Sequence, residues 1–235
     1  MTRIVMTCLW KGEDLPGYSN AVYRPEHVAN LAAGVRRHIP DSRLVVLADD
    51  HYAPLIDPLP VDVIGFSGWG CGGWSNVLEA FRPGLRPPDG DRVLLVGLDT
   101  VIVGDCEWLF EWRDAPIGLP LDPYHHPEVC DAVVTFDAEG ADLVWSAFLE
   151  SRKDEMRGDL FMGKPSEMAL LRRLRARYGW DTLEPEPRGR LMSYKVHVLP
   201  DFAFDGASIV YFHGEPKPDE LDTRNPIRQE WERGE

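Results

Sequence analysis

The residues of this chain best placed to do chemistry sit in a few short segments. Arg92-Val-Leu-Leu-Val-Gly-Leu-Asp-Thr-Val-Ile-Val-Gly-Asp105 is an apolar run broken in its middle by Asp99 and Thr100. A run this rich in Val, Leu and Ile reads as a strand buried on both faces, where a carboxylate must have a partner. Asp99 has two uses there, as a hard oxygen for a divalent cation or as a cap bonded to neighbouring amides. A second acid two residues earlier would point to the same face of an extended chain, but Gly97 stands in that position. In Ser208-Ile-Val-Tyr-Phe-His-Gly-Glu-Pro-Lys-Pro218, an apolar strand runs into His213 and Gly214, and a proline-stiffened turn then presents Lys217. The imidazole can ligate a metal or serve structurally at the strand end, the glycine lets a ligand approach the backbone, and the ammonium can pair with diphosphate oxygens. In Gly72-Gly-Trp-Ser-Asn-Val-Leu-Glu-Ala-Phe81, Ser75 or Asn76 would cap a helix whose first amides suit a phosphate or sugar hydroxyl, or would simply start a core helix. Gly158-Asp159 and Met192-Ser-Tyr-Lys-Val-His197 are weaker signals, since Asp159 can equally cap a helix from Leu160 and Lys195 can be a solvated strand residue.

These side chains need a scaffold, and the periodicity supplies one. Strands are expected at Arg3 to Leu9, Leu44 to Ala48 and Val61 to Phe66, with helices over Pro25 to His38 and Trp74 to Phe81. Pro25 suits a first helical turn and Pro40 stops the same helix. Beyond Asp105 the pattern loosens. Ala115 to Pro120, Asp131 to Phe136 and Ser208 to Phe212 read as strands, Ala141 to Ser151 and Ser166 to Tyr178 as helices, and Glu184 to Arg190 as a surface loop or flap. Alternating strands and helices indicate an α/β sheet with helices on both faces. In such sheets the ligand crevice lies at the carboxyl ends of the strands, which gathers Asp49, Asp50, Asp99 and the Gly68 to Gly73 loop.

Composition narrows the chemistry. At 235 residues and 44% hydrophobic content the chain can bury a full core. Its net charge of −14 argues against binding nucleic acid or anionic membrane by the surface at large, so a phosphate-bearing substrate needs a few local cations or a metal ion. Met1 to Trp10 is too short and too soon followed by charge to be a secretory signal or membrane span, and a cytoplasmic location is the default expectation. Cys8, Cys71, Cys106 and Cys130 lack any CxxC pairing or zinc-ligand spacing and read as buried thiols. No GxGxxG after the first strand, GxxxxGK[ST], GxSxG or HExxH occurs, which removes the simplest dinucleotide, NTPase, serine-hydrolase and zinc-protease readings.

Taken together the segments resemble the GT-A type of glycosyltransferase, among bacterial and phage relatives of the glycogenin and galactosyltransferase group. The resemblance runs over most of the chain, through Trp10-Lys11 and Tyr18, the helix Val28 to His38, Gly73-Trp-Ser-Asn-Val-Leu-Glu79, Leu98 to Asp105, Gly158-Asp159, Ser193-Tyr-Lys195 and Phe212 to Pro218. It implies a single α/β domain of GT-A type over residues 1–235, with a mostly parallel central sheet flanked by helices. Residues 1–105 would form the nucleotide-binding half, and residues 106–235 the acceptor half with a phosphate-contacting turn. In that family an Asp-x-Asp motif and a C-terminal His hold a divalent ion that carries the nucleotide-sugar diphosphate, beside a Gly-x-x-Lys-Pro turn. The resemblance therefore makes Asp99 the second acid of the motif and Lys217 the diphosphate lysine, with Asp99 and His213 the ligands of Mn²⁺ or Mg²⁺. Thr7, Lys11, Asp49, Asn76, Asp99, Gly214 and Lys217 are the expected donor contacts, and Asp131 and Asp159 the acceptor-side catalytic groups. The implied reaction moves a sugar from a nucleotide-diphosphate sugar, a UDP-sugar being favoured, to a hydroxyl of a glycan or small-molecule acceptor, with no nucleic-acid partner. Departures from the pattern are Gly97 for the first acid, Tyr211 at the usual His position with His213 two residues on, and Asn76 where many relatives carry Lys. The competing reading is a non-catalytic relative that binds without turnover, supported by Gly97. A sugar nucleotidyltransferase would want a Gly-rich basic loop after the first strand, whereas Leu9 to Asp14 offers one lysine and two acids.

Overall fold

Strand β1 (Arg3–Leu9) is an apolar run that becomes fully buried from Val5 onward. Helix α1 (Pro25–His38) opens on Pro25, whose fixed φ suits a first turn and whose missing N–H costs nothing there. Val28, Leu31, Ala32 and Val35 form its buried stripe, while Arg36, Arg37 and His38 sit at the negative end of the helix dipole. Strand β2 (Ser42–Ala48), the short helix α2 (Ala53–Ile56) and β3 (Asp62–Gly65) follow, and β1, β2 and β3 pair in parallel. In the computed structural model the described residues are 3–11, 23–68, 73–184 and 189–234.

Strand β4 (Val93–Val96) pairs in parallel with the other side of β1. The strand order thus reverses at β1, and the crevice outside the carboxyl ends of β1 and β4 is where ligands bind in open α/β sheets. The apolar run expected to continue through Asp105 instead breaks here. The Thr100 N–H donates to the Gly97 carbonyl at 3.1 Å, and after this turn the chain enters a different sheet as β5 (Val101–Ile102). Helix α3 (Glu107–Glu111), β6 (Ile117–Gly118), β7 (Val133–Phe136) and α4 (Ala138–Arg152) come next. The six-stranded sheet has the order β3-β2-β1-β4-β7-β6, with β7 antiparallel to both β4 and β6. Arg92, 4% exposed, ties this antiparallel edge together by donating to Thr135, Asp137 and the Ala115 and Pro116 carbonyls.

Strands β8 (Leu160–Phe161) and β9 (Lys164–Pro165) form a hairpin where a helix from Leu160 was one expectation. Helix α5 (Glu167–Tyr178) follows Ser166, and β10 (Leu191–Ser193) and β11 (Ile209–Tyr211) pair in parallel, with β5 antiparallel to β11, as a second sheet. Helix α6 (Pro226–Glu232), capped by Asn225 and unforeseen in the sequence, packs on α1 and β5. Gly73–Phe81 is a 3₁₀ segment rather than an α-helix. Its period of three puts Ser75, Leu78 and Phe81 on one buried side, inside the segment. Cys8, Cys106 and Cys130 are buried free thiols, and Cys71 lies outside the described residues, as does most of the Glu184 to Arg190 loop.

Candidate active site

The turn after β4 and the turn after β11 meet in the crevice. Asp99, 8% exposed, takes its Oδ2 contacts from two donors: the Tyr23 hydroxyl at 2.8 Å and the Lys217 ammonium, which forms an ion pair with it. Lys217 Nζ also donates to the Tyr23 hydroxyl at 3.0 Å, closing a triangle. The Lys217 backbone is fixed in turn, its N–H donating to Glu220 Oε2 at 2.7 Å. Burial and the Asp99 carboxylate hold the Tyr23 phenol far above its ordinary range, so it stays a donor. The buried carboxylate thus has its partner, and the partner is the candidate phosphate lysine.

His213 projects beside this triangle. Its ring meets Tyr211 edge-on at 5.0 Å and Tyr124 at 5.6 Å, as two residues on one face of an extended strand should. Its Nε2 is buried with no hydrogen-bond partner among the described residues. Burial, helped by Lys195 and Lys217, pulls its pKa down against the opposing pull of Asp122 and Asp99, leaving a neutral imidazole. Gly214 turns the chain at φ +59°, and a Cβ built there would lie 3.9 Å from Lys195 Nζ. Lys195 belongs to a wide turn, not to the strand position expected of it.

On the far wall, Asp131 hydrogen-bonds Glu167, the first residue of α5. Burial and the neighbouring Asp131 raise the Glu167 carboxyl well above its usual value, and the pair keeps a proton. Asp122 lies nearby, accepting from Arg172 at 2.5 Å and from the Tyr124 N–H at 2.8 Å. Burial would raise its pKa, but the Tyr124 amide, His125 and Arg172 outweigh that and lower it.

No protein-family model and no curated protein sequence matches the chain. Solved structures do. The glycosyltransferase GlyE of Streptococcus pneumoniae TIGR4 in its apo form superposes with a TM-score of 0.64 at 14% identity, over 98% of this chain and 59% of that one. The galactosyltransferase LgtC, solved with donor and acceptor sugar analogs, gives 0.60 at 13% identity over 97% and 93%. Mouse xyloside xylosyltransferase 1 gives 0.54 at 12% identity over 92% and 98%. The chain has the GT-A glycosyltransferase fold. It spans about three fifths of the length of GlyE, at 59%.

Within this GT-A frame several expected residues are occupied elsewhere. Asp159 is 1% exposed, with Arg173 on both carboxylate oxygens at 2.6 and 2.8 Å and Ser151 at 2.5 Å, so it braces α4, the hairpin and α5 and offers no free oxygen to an acceptor. Asp49 takes the Lys11 N–H at 2.6 Å and the Tyr52 N–H at 3.0 Å, clamping the loop after β1 to the end of β2, while the Lys11 side chain remains exposed. Thr7 is buried within β1 with its hydroxyl unpartnered among the described residues, and Asn76 lies half-buried in the 3₁₀ segment. The divalent ion implied by the resemblance does not fit the donor set. Asp99 is already bound to an ammonium, and Gly97 supplies no second carboxylate beside it. Among the described residues no group of three His, Cys, Asp or Glu side chains could hold a metal. Asp99 and His213, expected as a metal pair, lie together beside Lys217 and Lys195, with Asp99 paired to the Lys217 ammonium. Tyr23, Glu167, Asp122 and Arg172 escaped the sequence reading, although Glu167 in a first helical turn had an ordinary helix-dipole explanation that hid it.

Proposed function

We propose that this chain transfers a glycosyl group from a nucleoside-diphosphate sugar to an acceptor hydroxyl. The observation that carries the reading is the Lys217, Asp99 and Tyr23 triangle in the crevice of a GT-A fold. As the bond between the anomeric carbon and the diphosphate breaks, negative charge gathers on the leaving oxygen, and a pre-positioned ammonium stabilises that charge most. Asp99 and Tyr23 hold Lys217 in place for this, and Gly214 lets the phosphates approach the backbone. On the acceptor side, Asp131 of the Asp131 and Glu167 pair accepts a hydrogen bond from the attacking hydroxyl. Exposed Tyr124 against His213, and Trp74 beside Phe161 at 6.2 Å, offer ring faces for a sugar of a glycan or small acceptor. The resemblance makes a UDP-sugar the first donor to try.

A thermal-shift screen of nucleoside diphosphates and their sugars tests this reading, because a ligand of the native state raises its melting temperature. One nucleotide series should stabilise the wild type, and Lys217→Ala should weaken that binding by about tenfold or more, the usual loss for a charged hydrogen-bonding partner of a phosphate. A wild-type protein indifferent to the whole panel would remove the donor site.

A further inference from the structure

The crevice lacks one acid, and a second lysine stands where its charge matters. Lys195 comes from the turn Tyr194–Val198, which is closed by the Leu199 N–H donating to the Tyr194 carbonyl at 2.7 Å. Turns of this wide kind recur at functional positions. Its ammonium lies against Gly214, three residues before Lys217, so the two cations flank one short turn. In the same turn, His213 presents a buried Nε2 without a partner among the described residues. A divalent ion between two carboxylates and beside one lysine sums to a single positive charge, and so does Asp99 with Lys217 and Lys195. The missing acid and the extra ammonium compensate each other. In a chain of net charge −14, a diphosphate needs such a local concentration of positive charge.

Resting on the donor reading, we infer that Lys217 and Lys195 take the place of the divalent cation and grip the donor diphosphate as a pair of ammoniums. Asp99 is then a positioning residue for Lys217. Asp99 Oδ1 lies 2.8 Å from where a Cβ at 97 would stand, and Gly97 supplies no second carboxylate to this arrangement.

Calorimetric titration of UDP, GDP, CDP, ADP and dTDP in EDTA and in excess Mn²⁺, with Mn²⁺ alone as a further titrant, tests the inference. The nucleotide that binds should do so with affinities equal within about twofold in the two buffers, and Mn²⁺ alone should give no binding heat. Half-buried Lys195 can be replaced without disturbing the core, and Lys195→Ala should weaken the nucleotide about tenfold in EDTA and in Mn²⁺ alike, with Lys195→Arg restoring most of the loss. Binding at least about tenfold weaker in EDTA, saturable uptake of Mn²⁺ alone, or unchanged affinity in Lys195→Ala would overturn it. Absence of nucleotide binding in both buffers overturns the donor reading itself, which sets that failure apart from a metal requirement.

Discussion

Two carboxyls in contact cannot both ionise without cost, and Asp131 and Glu167 form such a pair at the crevice. Glu167 binds its proton more tightly in the folded chain than in the unfolded one. Its stabilising contribution is therefore complete below the ordinary carboxyl value of 4.5 and is lost as pH rises through the higher folded value. Glu167→Gln removes that titration. The thermal midpoint of the wild type, measured relative to the variant, should fall as pH is raised from about 5 to 8, at roughly 2–4 °C for each kcal/mol. A difference that stays flat across that range would contradict the shared proton. At this scale the sequence was partly legible. Asp99 and Lys217 stood out because a carboxylate in an apolar run and a lysine between prolines are each unusual in type and place. Their bond to each other was not legible, since 118 residues separate them and only the sheet topology brings them together. The Arg173 partner of Asp159 was not legible for the same reason, being supplied by α5.

The break after β4 is the element on which the site depends. Gly97 stands where the chain leaves one sheet for another, and its lack of a side chain leaves room for the Asp99 carboxylate. Gly97→Ala puts a Cβ 2.8 Å from Asp99 Oδ1, which must rotate away and loosen its bonds to Lys217 and Tyr23. Because the shifting atom is the end of a flexible side chain, the cost should stay below the roughly 1.5–3 kcal/mol of losing a whole charged hydrogen bond, seen in urea unfolding together with weaker nucleotide binding. An alanine variant as stable and as competent as the wild type would show that the Asp99 geometry does not matter. Elements with strong local signals were readable: β1 and α1 have the expected bounds because the apolar run and the Pro25 start leave few alternatives. Short pieces were not. Strand β6 spans only Ile117–Gly118, and α6 is seven residues whose Asn225-Pro226 start is a weak signal without the core that Ile227 and Trp231 fill.

For the molecule as a whole, the fold is that of GT-A glycosyltransferases, set by a strand order that reverses at β1 and a second small sheet that returns His213 and Lys217 to the crevice. No helix among the described residues is long and apolar enough to cross a membrane. The α/β class was visible in the alternation of strands and helices. The antiparallel placing of β7 was not, because a strand with antiparallel neighbours on both sides carries the same buried apolar pattern as a parallel one. Phosphorus NMR of nucleoside-diphosphate sugars incubated with the protein tests the central claim most directly, since a transferase also passes some donor to water. The signal of a free nucleoside diphosphate should grow with wild-type protein and fall by about 10²-fold or more with Lys217→Ala, the scale expected when a group stabilising the leaving charge is removed. A donor that binds yet stays intact over the full course of incubation, with acceptor sugars present, would contradict it.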